Sequence, residues 1–153
     1  MMSEIQLKKE LVNCLKAILQ EKIRFLKHNI DTAQESANSE EKSSAGDKYE
    51  TGRSMSQLNK NMYTVQLAEA EREWAIFNQI DFETTSEIVK IGSAVICNQG
   101  NYFISLSVGK IIVNDKIYMC ISSQSPIAKI LIGKKKKDNF TFNQNNIVIN
   151  DLF

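Results

Sequence analysis

Helix breakers are scarce in this chain: one proline and six glycines in 153 residues leave long stretches with nothing to interrupt a helix. Histidine occurs once, at His28, and the three cysteines, Cys14, Cys97 and Cys120, are odd in number and show no C-x-x-C spacing. Both facts argue against a disulfide framework and against a structural zinc site. No nucleophile is spaced around His28, so it reads as a solvated helix position rather than a catalytic base. Charge of one sign is also missing. Lys and Arg number 19 against 18 for Asp and Glu, and a net charge of +1 gives no general attraction to nucleic acid or to a membrane surface. No apolar run approaches the roughly 18 residues a bilayer span needs, and MMSEIQLKKE lacks the apolar core of a signal peptide. A cytoplasmic protein without a membrane partner is the expectation. What is present, 42% hydrophobic residues, suffices for one ordinary domain or two small units.

The apolar pattern changes period near residue 82, which predicts a division into 1–82 and 83–153. From about Ile5 to Ala37 the residues Val12, Leu15, Leu19, Leu26, Ile30, Ala33 and Ala37 recur at steps of three, four or seven, one stripe on a helix. A second stripe, Met55, Leu58, Met62, Val65, Ala68, Arg72 and Ile76, predicts a second helix with no Gly or Pro after Gly52. Two such stripes bury each other best as an antiparallel coiled-coil pair, with Leu19 and Leu26 expected to meet Leu58 and Met62. At ~1.5 Å per residue the hairpin would be about 45 to 50 Å long. Between Asp31 and Glu50, towards the tip near 38–52, the chain is acidic: Asp31, Glu35, Glu40, Glu41, Asp47 and Glu50 outweigh Lys42 and Lys48, whereas Lys8 to Lys27 is basic.

After Glu83 the chain reads as short strands at 89–97, 102–108, 110–113, 116–122, 139–142 and 146–150, rich in Ile, Val, Tyr and Phe and bounded by Asn, Asp and Gly turns. This predicts a small, twisted antiparallel sheet, and with the hairpin an α+β fold. One helix interrupts it: Ser125 as N-cap, Pro126 at the first helical position, Ile127 to Ile132 as two apolar turns and Gly133 as the stop. Lys134 to Lys137 would then sit at a helix C-terminus, either solvated or contacting phosphate.

The segment SPIAKILIGK (125–134) resembles the signature of the C-terminal domain of the Gre transcript-cleavage factors of bacterial RNA polymerase. IGSAV (91–95) resembles the first strand of that domain, and Gly46-Asp47-x-x-Glu50 resembles the family's acidic tip. The order of parts is also similar: helical hairpin, short linker, FKBP-like β domain with one helix. The resemblance implies a transcription elongation factor that binds RNA polymerase at its secondary channel and stimulates cleavage of backtracked RNA, without being an enzyme on its own. Asp47 and Glu50 would be the catalytic and metal-ligating pair, sharing a Mg²⁺ with the polymerase and holding none stably alone. Ser125, Pro126, Ile127, Lys129, Lys134 and Lys135 would contact the polymerase, and Lys48 and Arg53 would flank the tip. The implied partners are bacterial RNA polymerase and, through it, DNA and the nascent RNA 3′ end; the chain itself is expected to be a monomer.

The residues keep other readings open. Asp47 and Glu50 have the spacing of a capping box, which satisfies backbone N–H groups instead of a metal. Thr51-Gly52-Arg53-Ser54 departs from the family's tip, where an Asn and then Ala-Glu-Tyr follow the acid, so a channel-binding regulator without cleavage activity is the alternative. An FKBP-like isomerase or chaperone would need an aromatic pocket, for which Tyr102, Phe103, Tyr118, Phe140 and Phe142 are the candidates.

Overall fold

The computed structural model describes the backbone of residues 2–42 and 46–153 and the side chains of residues 2–39 and 51–153. Two long helices come first, α1 (Glu4–Lys42) and α2 (Gly46–Gln79). Six strands follow, β1 (Ala94–Cys97), β2 (Gly100–Ser105), β3 (Gly109–Val113), β4 (Lys116–Ser122), β5 (Asn139–Phe142) and β6 (Asn145–Leu152), with α3 (Pro126–Leu131) between β4 and β5. The class is α+β, as the change of period implies. By compactness the chain forms two units, Met1–Ile18 with Ile76–Phe153, and Leu19–Ala75. That division does not coincide with the change of element type at residue 82, because the first turns of α1 and the end of α2 bury their side chains with the sheet.

Within Leu19–Ala75 the arms run antiparallel. Lys22 Nζ lies 3.1 Å from Glu73 Oε1, and Lys60 Nζ donates to Gln34 Oε1 at 2.6 Å. The numbers of the two partners total 95 in one pair and 94 in the other, the constant sum of an antiparallel register. On α1, Leu19, Leu26, Ala33 and Ala37 are buried as the first stripe predicts. On α2 the expected stripe is corrected: Met55, Leu58, Met62, Val65 and Ile76 are exposed. The inward positions are instead Ser56, Lys60, Tyr63, Leu67, Ala70 and Trp74, again at steps of three or four. The physical reason is the pairing with α1, which turns Glu73 to Lys22 and Lys60 to Gln34 and so faces this stripe inward. The Phe77 ring packs on Phe82, and Phe82 on Phe103 of β2, each pair with centroids 5.5 Å apart. Phe77 is buried there, at the end of the helix. Lys60 is half-buried along its stem while its ammonium reaches the Gln34 amide oxygen.

The sheet order is β3-β4-β2-β1-β6-β5. It is mixed rather than antiparallel, because β2 and β4 pair in parallel, Phe103 opposite Cys120. The hairpins β3–β4 and β5–β6 close through Asn114-Asp115 and Asn143-Gln144, all four at positive φ, the two-residue turn that matches strand twist. The expected strand at 89–97 is shortened to Ala94–Cys97, since the chain turns at Gly92 with φ +98. A Cβ there would lie 2.6 Å from the Asp81 carbonyl oxygen, so the glycine of the IGSAV segment permits a backbone approach no other residue could make.

Both faces of the sheet are covered. One carries Val95, Cys97, Ile104, Ile147 and Ile149, packed against Val89 and the Ile127, Ala128 and Leu131 face of α3. The other carries Ala94, Phe103, Tyr118 and Cys120, which are buried together with Leu11, Leu15 and Phe77 of the helix roots. Burial pushes the Cys97 thiol up to about 11 and the Cys120 thiol up to about 12, so neither is a ready nucleophile. The first helix is capped by a signal that periodicity alone passes over: Ser3 Oγ accepts from the Gln6 N–H and Gln6 Oε1 accepts from the Ser3 N–H, each at 3.2 Å, a capping box written as S-x-x-Q.

Candidate functional site

Around α3 the local sequence acts as its residues predict. Ser125 has extended backbone angles, its Oγ accepts from the Ala128 N–H at 3.3 Å and donates to the Ser122 carbonyl at 2.9 Å, and Pro126 follows at the first helical position. Ser125 is half-buried in this cap, and Ile127 is buried in the core. Pro126, Lys129 and Lys135 are exposed and Lys134 is half-buried, its ammonium 5.8 Å from the Phe140 ring centroid, within range of a cation–π attraction.

The lysine run directly follows the end of α3, where the Lys134 N–H donates to the Leu131 carbonyl at 3.0 Å. Gly133 takes φ +93 and donates to the Val89 carbonyl, the Val89 N–H donates to the Lys134 carbonyl, and Lys135 bridges Ile88. Lys137 then donates to the Ile149 carbonyl from positive φ, and the Asp138 carboxylate accepts from the Lys135 N–H at 2.9 Å. These bonds hold the run as a turn pinned between residues 88–89 and β6. Lys136 lies 3.9 Å from Asp151, and Lys129 and Lys135 are exposed, as are the apolar side chains of Ile88 and Ile132. The arrangement is a mixed basic and apolar surface on one end of the β unit.

At the other candidate, α1 ends at Lys42 and α2 begins at Gly46, so Asp47 and Glu50 fall in the first turns of α2, three apart and hence on one helical face. The side chains of Asp47, Lys48 and Glu50 lie outside the described residues. Arg53 is exposed on the same helix. Among the described residues no group of three or more His, Cys, Asp or Glu is gathered as a metal site, and no helix is long and apolar enough to cross a membrane. His28 is exposed on α1, as its reading as a solvated position expects.

The isomerase reading loses its pocket. Phe103 and Tyr118 are buried on the face that meets the helix roots, whereas Tyr102, Phe140 and Phe142 pack on the opposite face around α3.

A feature without a sequence signal is a cleft of about 710 Å³ at the root of α1, lined by Ile5, Val12, Ile80, Phe82 and Phe153 with Glu4, Lys8 and Asp81 at its edge. Lys8 Nζ donates to the Phe153 carbonyl at 2.9 Å; burial, and secondly the nearby Lys90 ammonium, hold its pKa down to about 8. Asp81 is held well below the usual carboxylate range by hydrogen bonds from Thr84 and Glu83, with Lys90 3.6 Å away. Elements far apart in the chain meet here, so no local pattern could have revealed it.

No protein-family model matches the chain, and no curated protein sequence matches it. Among solved structures it is similar to that described as "Structure of the transcription factor Gfh1", with 18% sequence identity, a TM-score of 0.34 and 99% of each chain covered. A similarity at that level establishes no function for this chain.

Proposed function

We propose that the protein is a Gre-like transcription factor that works with RNA polymerase in the bacterial cytoplasm. The observation that carries the reading is the order of parts: an antiparallel two-helix arm with Gly46-Asp47-x-x-Glu50 at the start of its second helix, then a β unit whose one short helix is the SPIAKILIGK segment, capped by Ser125. In this reading the surface of exposed Lys129 and Lys135 with half-buried Lys134 docks on the polymerase and the arm enters its secondary channel.

Asp47 and Glu50 offer hard oxygen donors of the kind Mg²⁺ prefers, but two carboxylates fall short of an octahedral shell, so the remaining ligands would come from the polymerase and its RNA. Such a metal supplies charge neutralisation and a more acidic bound water at a phosphodiester. The chain's own contribution is to present two carboxylates, three residues apart, on a stiff helical support. In this reading the chain stimulates the hydrolytic activity of the polymerase rather than acting as an enzyme on its own.

Backtracked elongation complexes test this directly. The wild-type protein should bind and shorten the RNA 3′ end in a Mg²⁺-dependent way. Asp47→Asn with Glu50→Gln should bind equally and leave the RNA intact, and Lys134→Glu with Lys135→Glu should weaken binding most at low salt, where screening is least. Binding without cleavage by the wild type would instead establish the regulator, with Thr51 to Ser54 as its cause. No binding at any ionic strength would overturn the reading.

A further inference from the structure

The cleft at the root of α1 has no part in the function proposed above. Its lining belongs to one compact unit, Met1–Ile18 with Ile76–Phe153, and its volume of about 710 Å³ falls in the roughly 300–1,000 Å³ range of small-molecule sites. The walls are apolar, formed by Ile5, Val12 and Ile80 with the rings of Phe82 and Phe153, and Ile5 leaves 66% of its surface to water there. Among the charged side chains of the lining, Lys8 alone is half-buried; Glu4, Lys9, Asp81 and Glu83 are exposed. An ammonium carries three donors. Lys8 Nζ places one on the Phe153 carbonyl at 2.9 Å, and no other hydrogen bond reaches it among the described residues.

Two of the acidic groups at the rim are engaged elsewhere. Asp81 accepts from the Glu83 and Thr84 N–H groups, each at 3.0 Å, and faces Lys90 at 3.6 Å. A hydrogen bond with the Asp151 carboxyl, ahead of burial, holds the Glu4 pKa up and keeps a proton between the two groups. The desolvated charge of the cleft is therefore positive, with open donors beside apolar walls. A wholly apolar guest would leave those donors without water or partner, and a cationic one would meet Lys8 and Lys90 as like charges.

We propose that the cleft binds a small amphipathic carboxylate, its apolar body against Ile5, Val12, Ile80 and Phe82 and its carboxylate on the open donors of Lys8. A carboxylate supplies what the fold withholds from this ammonium, a counter-charge inside a partly desolvated site, where a charge-assisted hydrogen bond is strongest. The inference does not rest on the function proposed above, since the cleft shares no residue with Asp47 and Glu50 or with the lysine surface beside α3.

Calorimetric titration of the full chain with octanoate and with 1-octanol tests it, at about pH 7, where Lys8 holds its proton. Octanoate should bind with a Kd below about 1 mM and 1-octanol at least about tenfold more weakly. Hexanoate, shorter by two methylenes, should bind about tenfold more weakly than octanoate. Amide shifts on adding octanoate should fall at residues 4–13, 80–85 and 153. Lys8→Met keeps an apolar stem of similar length and removes a charge that burial opposes, so it should fold, bind octanoate at least about tenfold more weakly and lose the preference over 1-octanol. Ile5→Asp, at an exposed position, should weaken octanoate more than 1-octanol by setting a like charge in the wall. No octanoate binding up to about 10 mM overturns the proposal, as do amide shifts elsewhere, a wild type that binds 1-octanol equally well, or a Lys8→Met protein that still prefers octanoate.

Discussion

Tyr118 offers a case where removing a polar atom should strengthen the fold. It sits in β4, opposite Ile111 of β3 and beside Phe103 and Cys120, with no exposed surface. Its hydroxyl has no hydrogen-bond partner among the described residues, and burial pushes its pKa upward, both signs of an oxygen withdrawn from water without compensation. A buried hydroxyl left unpaired costs about 1 to 3 kcal/mol. Tyr118→Phe keeps the ring and leaves a gap of one oxygen, whose lining loses a few tenths of a kcal/mol of dispersion. The net expectation is a gain of about 1 kcal/mol, which for a chain of this length raises Tm by ~2–4 °C. Scanning calorimetry gives Tm, and urea titration should give a higher midpoint with an unchanged slope. Tyr102→Phe, half-buried on the opposite face, should stay within about 0.5 kcal/mol and serves as control. A lower Tm and midpoint for Tyr118→Phe would mean that the hydroxyl is bonded in solution, and the reasoning fails.

Gly92→Ala should destabilise by at least about 2 kcal/mol in urea titration, since it combines positive-φ strain with a Cβ 2.6 Å from a backbone oxygen. Gly109→Ala, at φ +88 with nothing within 4 Å of the added carbon, should lose only about 1 kcal/mol, and equal losses would discount the close approach. Leu26→Ala, at 3% exposure in the seam, should lose about 2 kcal/mol, the low end for a core leucine because a two-helix seam can relax, and an unchanged urea midpoint would displace Leu26 from the seam. For Lys8 the folded pKa of about 8 lies below the unfolded 10.5, so below pH 8 both states carry the proton and the burial penalty is complete. Between pH 8 and 10.5 the unfolded chain binds more protons and stability rises with pH, by ~1–2 kcal/mol after discounting for partial exposure; Lys8→Met should flatten that slope in urea midpoints measured across the range.

Two kinds of information settled this molecule. Local rules sufficed for the existence and type of the elements: freedom from Gly and Pro made α1 and α2 readable, β-branched runs between Asn and Asp turns made the six strands readable, and Ser125-Pro126 with Gly133 bounded α3 as expected. Each of those signals acts within a few residues, so one sequence carries it whole. The rotation of α2 was not readable, because two stripes of equal period compete on that helix and only its pairing with α1, seen in Lys22–Glu73 and Lys60–Gln34, selects between them. Periodicity names the richer stripe, Met55 to Ile76; tertiary packing buries the poorer one and leaves the richer exposed. The same holds at the β end. SPIAKILIGK was legible as a helix, but that Ile127 belongs to the core and that Lys134 to Lys137 form a pinned turn depended on Val89 and β6, 45 residues before and 12 residues after those lysines. The parallel pairing of β2 with β4 and the cleft at Lys8 depend likewise on contacts between distant segments. Sequence determined which pieces exist, since propensity and capping are local free energies; the tertiary structure decided which faces they hide, since burial is a property of partners.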